Sequence, residues 1–273
     1  MDKMLIAVFE REGQASAAAG AMRELAKEDV LLIYAFALIV KGVGKVSIVD
    51  FKSGDCRDPV LGVATRSLIK LLAGPYCSAD DGNAQAFTDG MVEMANAGVD
   101  SIFVDQVARH LLPGRAAIVS EIEEETTNAM DSLFESQGGT VFRCGRCENM
   151  DVQIAKELGA LHSEIQALET QVLQTPEGTR AQLQRQLDLA RGRFQATKDR
   201  ARQHAASIKR EAEAKIVSLQ ERSAKAEGGI KARLEKLADE IRVDYVNRAT
   251  KLNLAWKLAG DVFAACFLFF VLN

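Results

Sequence analysis

The sequence predicts an α+β protein, with a ferredoxin-like head over residues 1–147 followed by a long α-helical, coiled-coil-like arm. Three observations predict it. Short apolar runs alternate with helix-forming stretches as far as Arg143. At Asp151 the composition turns to Gln, Glu, Arg, Lys, Ala and Leu, with one proline from there on. Beyond it, apolar residues recur at helical intervals.

In the head, "MLIAVFE" reads as a buried strand and "GQASAAAGAMRELAKED" as a helix. "VLLIYAFALIVK" and "GKVSIVDF" read as strands joined by a tight turn at Gly42–Gly44, with Val46, Ile48 and Phe51 on one sheet face. Residues 54–98 form an inserted segment. Within it "PVLGVATRSLIKLLAGP" carries an apolar helical stripe, Cys77–Asn83 reads as a loop and "AQAFTDGMVEMANAG" as a short helix. "DSIFVDQVARHLLPG" reads as a helix capped by Asp100 or Ser101 and ended by Pro113–Gly114. "RAAIVSEIE" is a strand, Glu124–Gln137 a helix closed by Gly138–Gly139, and "TVFRC" the last strand. The order β-α-β-β-α-β with an insertion is the ferredoxin-like one.

Several of these elements resemble an uncharacterised bacterial domain family usually labelled predicted membrane protein. They are Leu5–Phe9, the strand pair ending at Phe51, the Leu112–Pro113–Gly114 turn, Ala117–Ser120 and Gly138–Gly139–Thr140. The resemblance covers roughly residues 3–143. It implies an α/β domain with a membrane connection and supplies no catalytic residue. The family's glycine-rich apolar hairpin has its counterpart in Pro59–Pro75, which holds Arg66 and Lys70 and is seventeen residues long. A bilayer core of about 30 Å asks for about twenty apolar residues, and a central charge costs several kcal/mol.

The arm opens with a connecting helix, residues 148–174, carrying Ile154, Leu158, Leu161, Ile165, Leu168 and Val172 along one face. Thr175–Pro176 is a restart signal. Residues 175–273 are expected to form one long amphipathic helix. It starts with Leu183, Leu187, Ala190 and Phe194, and then Ile208, Leu219, Ile230, Ile241, Leu252 and Phe263 recur every eleven residues. A second track holds Leu234, Tyr245, Trp256 and Phe267. Gly228–Gly229 is the expected break, if there is one. Val262 to Leu272 is an apolar tail of eleven residues with Phe263, Phe267, Phe269 and Phe270.

Net charge divides unevenly. Residues 1–147 hold 14 basic and 21 acidic side chains, whereas residues 148–273 hold 20 and 17. Nine of the basic ones form a face between Gly178 and Arg210: Arg180, Arg185, Arg191, Arg193, Lys198, Arg200, Arg202, Lys209 and Arg210. Such a face suits anionic lipid or phosphate. With only Phe194 as an aromatic, nucleic acid is disfavoured, and a solvated or salt-bridged face is the plainer reading. The acidic run Glu121, Glu123, Glu124 and Glu125 reads as a solvated helix start.

Five cysteines, an odd and sparse set, suit a reducing cytoplasm, and no export signal is read at the N-terminus. Cys144 and Cys147 are spaced for a redox disulfide or half a zinc site, with Arg143 and Arg146 favouring thiolates. No second ligand pair accompanies them, so structural thiols are the preferred reading. No nucleotide motif, Ser/His/Asp series or paired-acid signature stands out. The sequence therefore points to a non-enzymatic scaffold that forms a cytoplasmic homo-oligomer through its arm and Phe-rich tail, with no cofactor and no small-molecule substrate. Peripheral binding to an anionic membrane surface, at its inner face, is the second reading and a thiol redox protein the third.

Overall fold

A computed structural model of the chain describes residues 3–27, 31–53, 61–73, 99–124, 126–145 and 149–258. The fold is mixed α+β, with a five-stranded antiparallel sheet and several long helices. In chain order the head elements are β1 (Lys3–Phe9), α1 (Glu12–Lys27), β2 (Leu31–Lys41), β3 (Val46–Ser53), α2 (Val63–Ala73), α3 (Ser101–His110), β4 (Ala116–Glu124), α4 (Asn128–Ser136) and β5 (Thr140–Gly145). The helices α5 (Asn149–Gln174), α6 (Glu177–Ser223) and α7 (Gly228–Leu258) follow. Two compact units result. One comprises Met1–Cys147 with Glu213–Ala238, the other Glu148–Ala212 with Asp239–Asn273.

In the first unit the strands lie in the order β3-β2-β4-β1-β5. β4 is central between β2 and β1, and pairs with β1 from Lys3↔Ile122 through Phe9↔Ala116. Both faces of the sheet are covered, which is why β1 is apolar throughout rather than alternating. Leu5, Ala7, Phe9, Phe36, Leu38 and Ile118 pack under α1 and α4, with Ala15, Met22 and Phe134 above them. Met4, Ile6, Ala37, Ile39, Ala117 and Val119 pack under α2 and α3, against Leu68, Leu72, Phe103 and Val107. Asp100 caps α3, its carboxylate accepting from the Ile102 amide at 2.9 Å.

Two expectations change here and one holds. The acidic run does not start a helix. β4 continues to Glu124 because β1 and β2 pair with it as far as Lys3↔Ile122 and Leu31↔Glu124, and Glu121, Glu123 and Glu124 are buried as a result. Val46, Ile48 and Phe51 do share one sheet face, opposite Lys41, Ile39 and Ala37. The β2–β3 register slips between Leu38 and Ile39 and so brings Phe51 onto the face of the other two; Ile48 is nevertheless 54% exposed there. The helix expected over 175–273 is two helices, α6 and α7. α6 ends at Ser223, and Gly228 turns the chain with φ +58°, a conformation that favours glycine. Ser223 then donates to Glu235 at 3.5 Å, as a reversing hairpin requires.

This reversal dissolves the eleven-residue track as a single seam, since its two halves run in opposite directions. Ile208, Leu219, Leu234, Tyr245 and Leu252 are buried, Ile241 is half-buried and Ile230 is 41% exposed. The loop and short helix expected over 77–98 lie outside the described residues.

Candidate functional site

In the second unit α5, α6 and α7 share a core of Ile154, Leu158, Ala201, Ile208, Tyr245 and Leu252. One polar cluster sits inside it. Asp151 of α5 accepts from His204 Nε2 of α6 at 2.6 Å and from Arg248 Nε of α7 at 2.7 Å. The side chains of Asp151 and His204 are fully withdrawn from solvent. Burial alone would raise the Asp151 carboxyl, but the hydrogen bonds from His204 and Arg248 and the charge of Arg248 hold it below the usual aspartate value. A carboxylate with no proton can only accept, so His204 presents Nε2–H to it. Among the described residues His204 Nδ1 has no hydrogen-bond partner.

Such a cluster joins three helices at one level. Its effect is positional, because one carboxylate of α5 is bonded to a side chain of α6 and to one of α7. Sequence reasoning passed it over. The available signal was His204 standing between Ala201 and Ile208 at helical spacing, a polar residue on an apolar stripe.

Of the nine residues of the basic face on α6, three pair with α5. Arg191 bonds Glu169 at 2.8 Å, Arg193 bonds Glu164 at 2.7 Å, and Arg200 bonds Glu157. Together these pairs set α5 and α6 antiparallel, and their signature is heptad spacing, Glu157 to Glu164 and Arg193 to Arg200. Arg202 pairs with Asp199 along its own helix. Arg180 and Arg210 donate to the backbone carbonyls of Thr175 and Ala206. Lys198 is buried with its ammonium 5.6 Å from the centre of the Phe194 ring. Arg185 is exposed and Lys209 half-buried.

Of the two sulfur candidates one is among the described residues. Cys144 lies on β5 opposite Met4, partly covered by the α2–α3 core, and Cys147 lies outside the described residues. Arg143, expected to favour a thiolate, is opposite Leu5 and therefore on the other face of the strand. There it bonds Glu124 at 2.8 Å and also Asp131. Burial would lower its guanidinium, and these two acids raise it further above its ordinary value. His110 packs on Phe142, with ring centres 4.9 Å apart, and His162 near Phe194 at 6.4 Å. Among the described residues no group of three or more His, Cys, Asp or Glu is placed to hold a metal ion. Trp256 falls in α7, but its side chain, like residues Phe263, Phe267, Phe269 and Phe270, lies outside the described set.

No family model, no curated protein and no solved structure matches this chain. The absence of a matching family model overturns the resemblance to the bacterial family labelled predicted membrane protein. The shared features were strand and turn patterns that many α/β sheets require. Among the described residues, moreover, no helix is long and apolar enough to cross a membrane.

Proposed function

We propose that this chain is a non-enzymatic structural protein that associates with copies of itself, the run Val262–Leu272 serving as the contact. The observation that carries the reading is a contrast between α7 and the residues after it. The seam of α7 is already closed within its own chain at Leu234, Tyr245 and Leu252. The eleven residues that follow Asp261 are apolar on every side of a helix, and a helix apolar all round has to be covered all round. Phe263, Phe267, Phe269 and Phe270 supply large, stiff contact area for a protein partner. The α5–α6 charge ladder supports a coiled-coil-like arm. In the head, the order β5-β1-β4-β2 with α1 and α4 on one face supports the ferredoxin-like reading, β3 being an added edge strand.

Light scattering after size exclusion tests this on the full chain, on a truncation ending at Asp261 and on Leu268→Ser/Phe269→Ser. A defined oligomer that falls to monomer in both variants is the expected result. A full chain that stays monomeric and floats with anionic vesicles would replace self-association with attachment to a membrane surface, a reading supported by the exposed Arg185 and the apolar run.

A further inference from the structure

At one end of the head's sheet two turns meet. The turn between β2 and β3 closes with the Gly42 amide donating to the Lys45 carbonyl at 2.8 Å. The turn between α3 and β4 closes with the Arg115 amide donating to the Leu112 carbonyl at 3.0 Å. Both are tied together at Lys41, whose amide donates to the Arg115 carbonyl at 2.9 Å and whose carbonyl accepts from the Gly114 amide at 2.7 Å. Val43 stands in the middle of the first turn, 91% exposed, and Leu112 opens the second, 48% exposed. Turns are ordinarily made of Gly, Pro, Asn, Asp and Ser. Here Gly44 and Gly114, with φ +69° and +91°, and Pro113 already supply that chemistry. Val43 and Leu112 answer no demand of the turns, and an exposed residue that breaks a local rule without helping the fold marks a place to look for a contact.

The charges around these two residues are of one sign. Lys45 belongs to the first turn, Lys70 to the last turn of α2 and Arg109 to the last turn of α3, and all three are exposed. Lys41 donates to the carbonyls of Leu72 and Ala73, which brings the end of α2 to this place. Arg115 donates to the His110 carbonyl at 3.0 Å, which does the same for α3. Neither the two turns nor the last turns of α2 and α3 contain an acid. Glu10, Glu12 and Glu135 flank this end from the β1–α1 bend and from α1 and α4, the helices on the other face of the sheet. Residues 1–147 hold 21 acids to 14 bases, so the composition of the head does not account for five cations in one place.

We propose that this end of the head docks on an anionic lipid surface, with Val43 and Leu112 entering between the headgroups and Lys45, Lys70 and Arg109 meeting their phosphates and carboxylates. Shape decides for lipid over a folded protein. The two apolar side chains stand on turns instead of lining a groove, so a folded partner would need a pocket cut to receive them. A headgroup layer yields around an apolar tip and supplies the anions that the surrounding cations attract. The contact needs neither self-association nor the run Val262–Leu272, and light scattering reports self-association separately.

Flotation with vesicles of phosphatidylcholine alone, and of phosphatidylcholine mixed with phosphatidylserine, tests this on the full chain. Two head variants, Val43→Asp/Leu112→Asp and Lys45→Glu/Arg109→Glu, are compared with Leu268→Ser/Phe269→Ser. The four head positions are exposed, and circular dichroism confirms that each variant keeps its fold. The full chain should bind the phosphatidylserine vesicles about tenfold more tightly than the neutral ones, and each head variant should lose about tenfold of that binding. Added salt should weaken it as the Debye length shortens. No binding by the full chain, equal binding to both vesicles, or binding retained in full by both head variants would overturn the proposal. Loss in Leu268→Ser/Phe269→Ser with none in the head variants would overturn it too, and would give the lipid contact to Val262–Leu272.

Discussion

His204 Nε2 lies 2.6 Å from Asp151 Oδ1, and neither side chain is open to solvent. The pair, with Arg248 on the second carboxylate oxygen, is where three helices agree on register. Replacing Asp151 by Ala leaves the Arg248 charge and a histidine donor facing an apolar core. Breaking a buried pair from one side costs about 3 kcal/mol, and urea unfolding followed by helical circular dichroism should show a loss of that size. Asp151→Asn, which keeps an acceptor, should lose clearly less.

Because the folded Asp151 carboxyl lies below its unfolded value, the folded state binds this proton less readily than the unfolded one. Its contribution is therefore complete above the unfolded value of about 3.9 and fades as pH falls through the lower folded value. On acid titration the wild-type bundle should consequently lose stability more steeply than Asp151→Asn. An Asp151→Asn variant with the wild-type acid slope would refute the assignment.

The Glu157–Arg200, Glu164–Arg193 and Glu169–Arg191 pairs are exposed, so each should contribute less than about 1 kcal/mol and weaken with salt. Their value is in selecting the antiparallel partner. Reversing Glu157, Glu164 and Glu169 to Lys should lower stability, and reversing Arg191, Arg193 and Arg200 to Glu in the same chain should restore most of it. Failure of the sixfold variant to recover would mean that the apolar stripe alone sets the register.

These elements differ in how plainly the sequence announces them. Strand β1, the Gly42–Gly44 turn and the Asp100 cap depend on local patterning, and the chain spells them out. Strand order does not, since nothing in "RAAIVSEIEE" says which two strands will flank it. Flanking is what buries Glu121, Glu123 and Glu124, whose charge argues for solvent when read alone. The arm misleads in the opposite way. Eleven-residue spacing continues through Gly228, yet a positive φ at one glycine reverses the helix and turns one long seam into two facing ones. Finally, His204 is a seam position occupied by a polar residue, and its meaning depends on Asp151 and Arg248, 53 and 44 residues away in the chain.

Two glycines of the head tolerate no side chain, for different reasons. At Gly139 an added Cβ would lie 2.6 Å from the Phe9 ring and 3.0 Å from the Phe134 carbonyl oxygen. At Gly62, with φ +83°, it would lie 2.9 Å from the Ala35 Cβ. Alanine at Gly139 has to displace a ring packed edge-on against Phe134, whereas at Gly62 it adds backbone strain to a contact with β2. Each should destabilise the head by about 2 kcal/mol. Gly13→Ala, in α1 with open space around it, should be neutral or stabilising in the same thermal melts.

Arg143 is the remaining residue whose removal separates charge from shape. Its guanidinium holds Glu124, a carboxylate with a side chain only 2% exposed, and reaches Asp131 on α4. Arg143→Met preserves much of the stem but strands Glu124 with Lys3 at 3.5 Å as its remaining described ion-pair partner. Loss of one partner from a buried pair predicts about 3 kcal/mol of destabilisation. Arg143→Met combined with Glu124→Leu removes both charges and should recover most of that loss, since well-packed apolar replacements are often neutral. If the double variant is no better than Arg143→Met, then the guanidinium acts chiefly through Asp131, by fixing α4 to β5. Asp131→Ala would then reproduce the defect by itself.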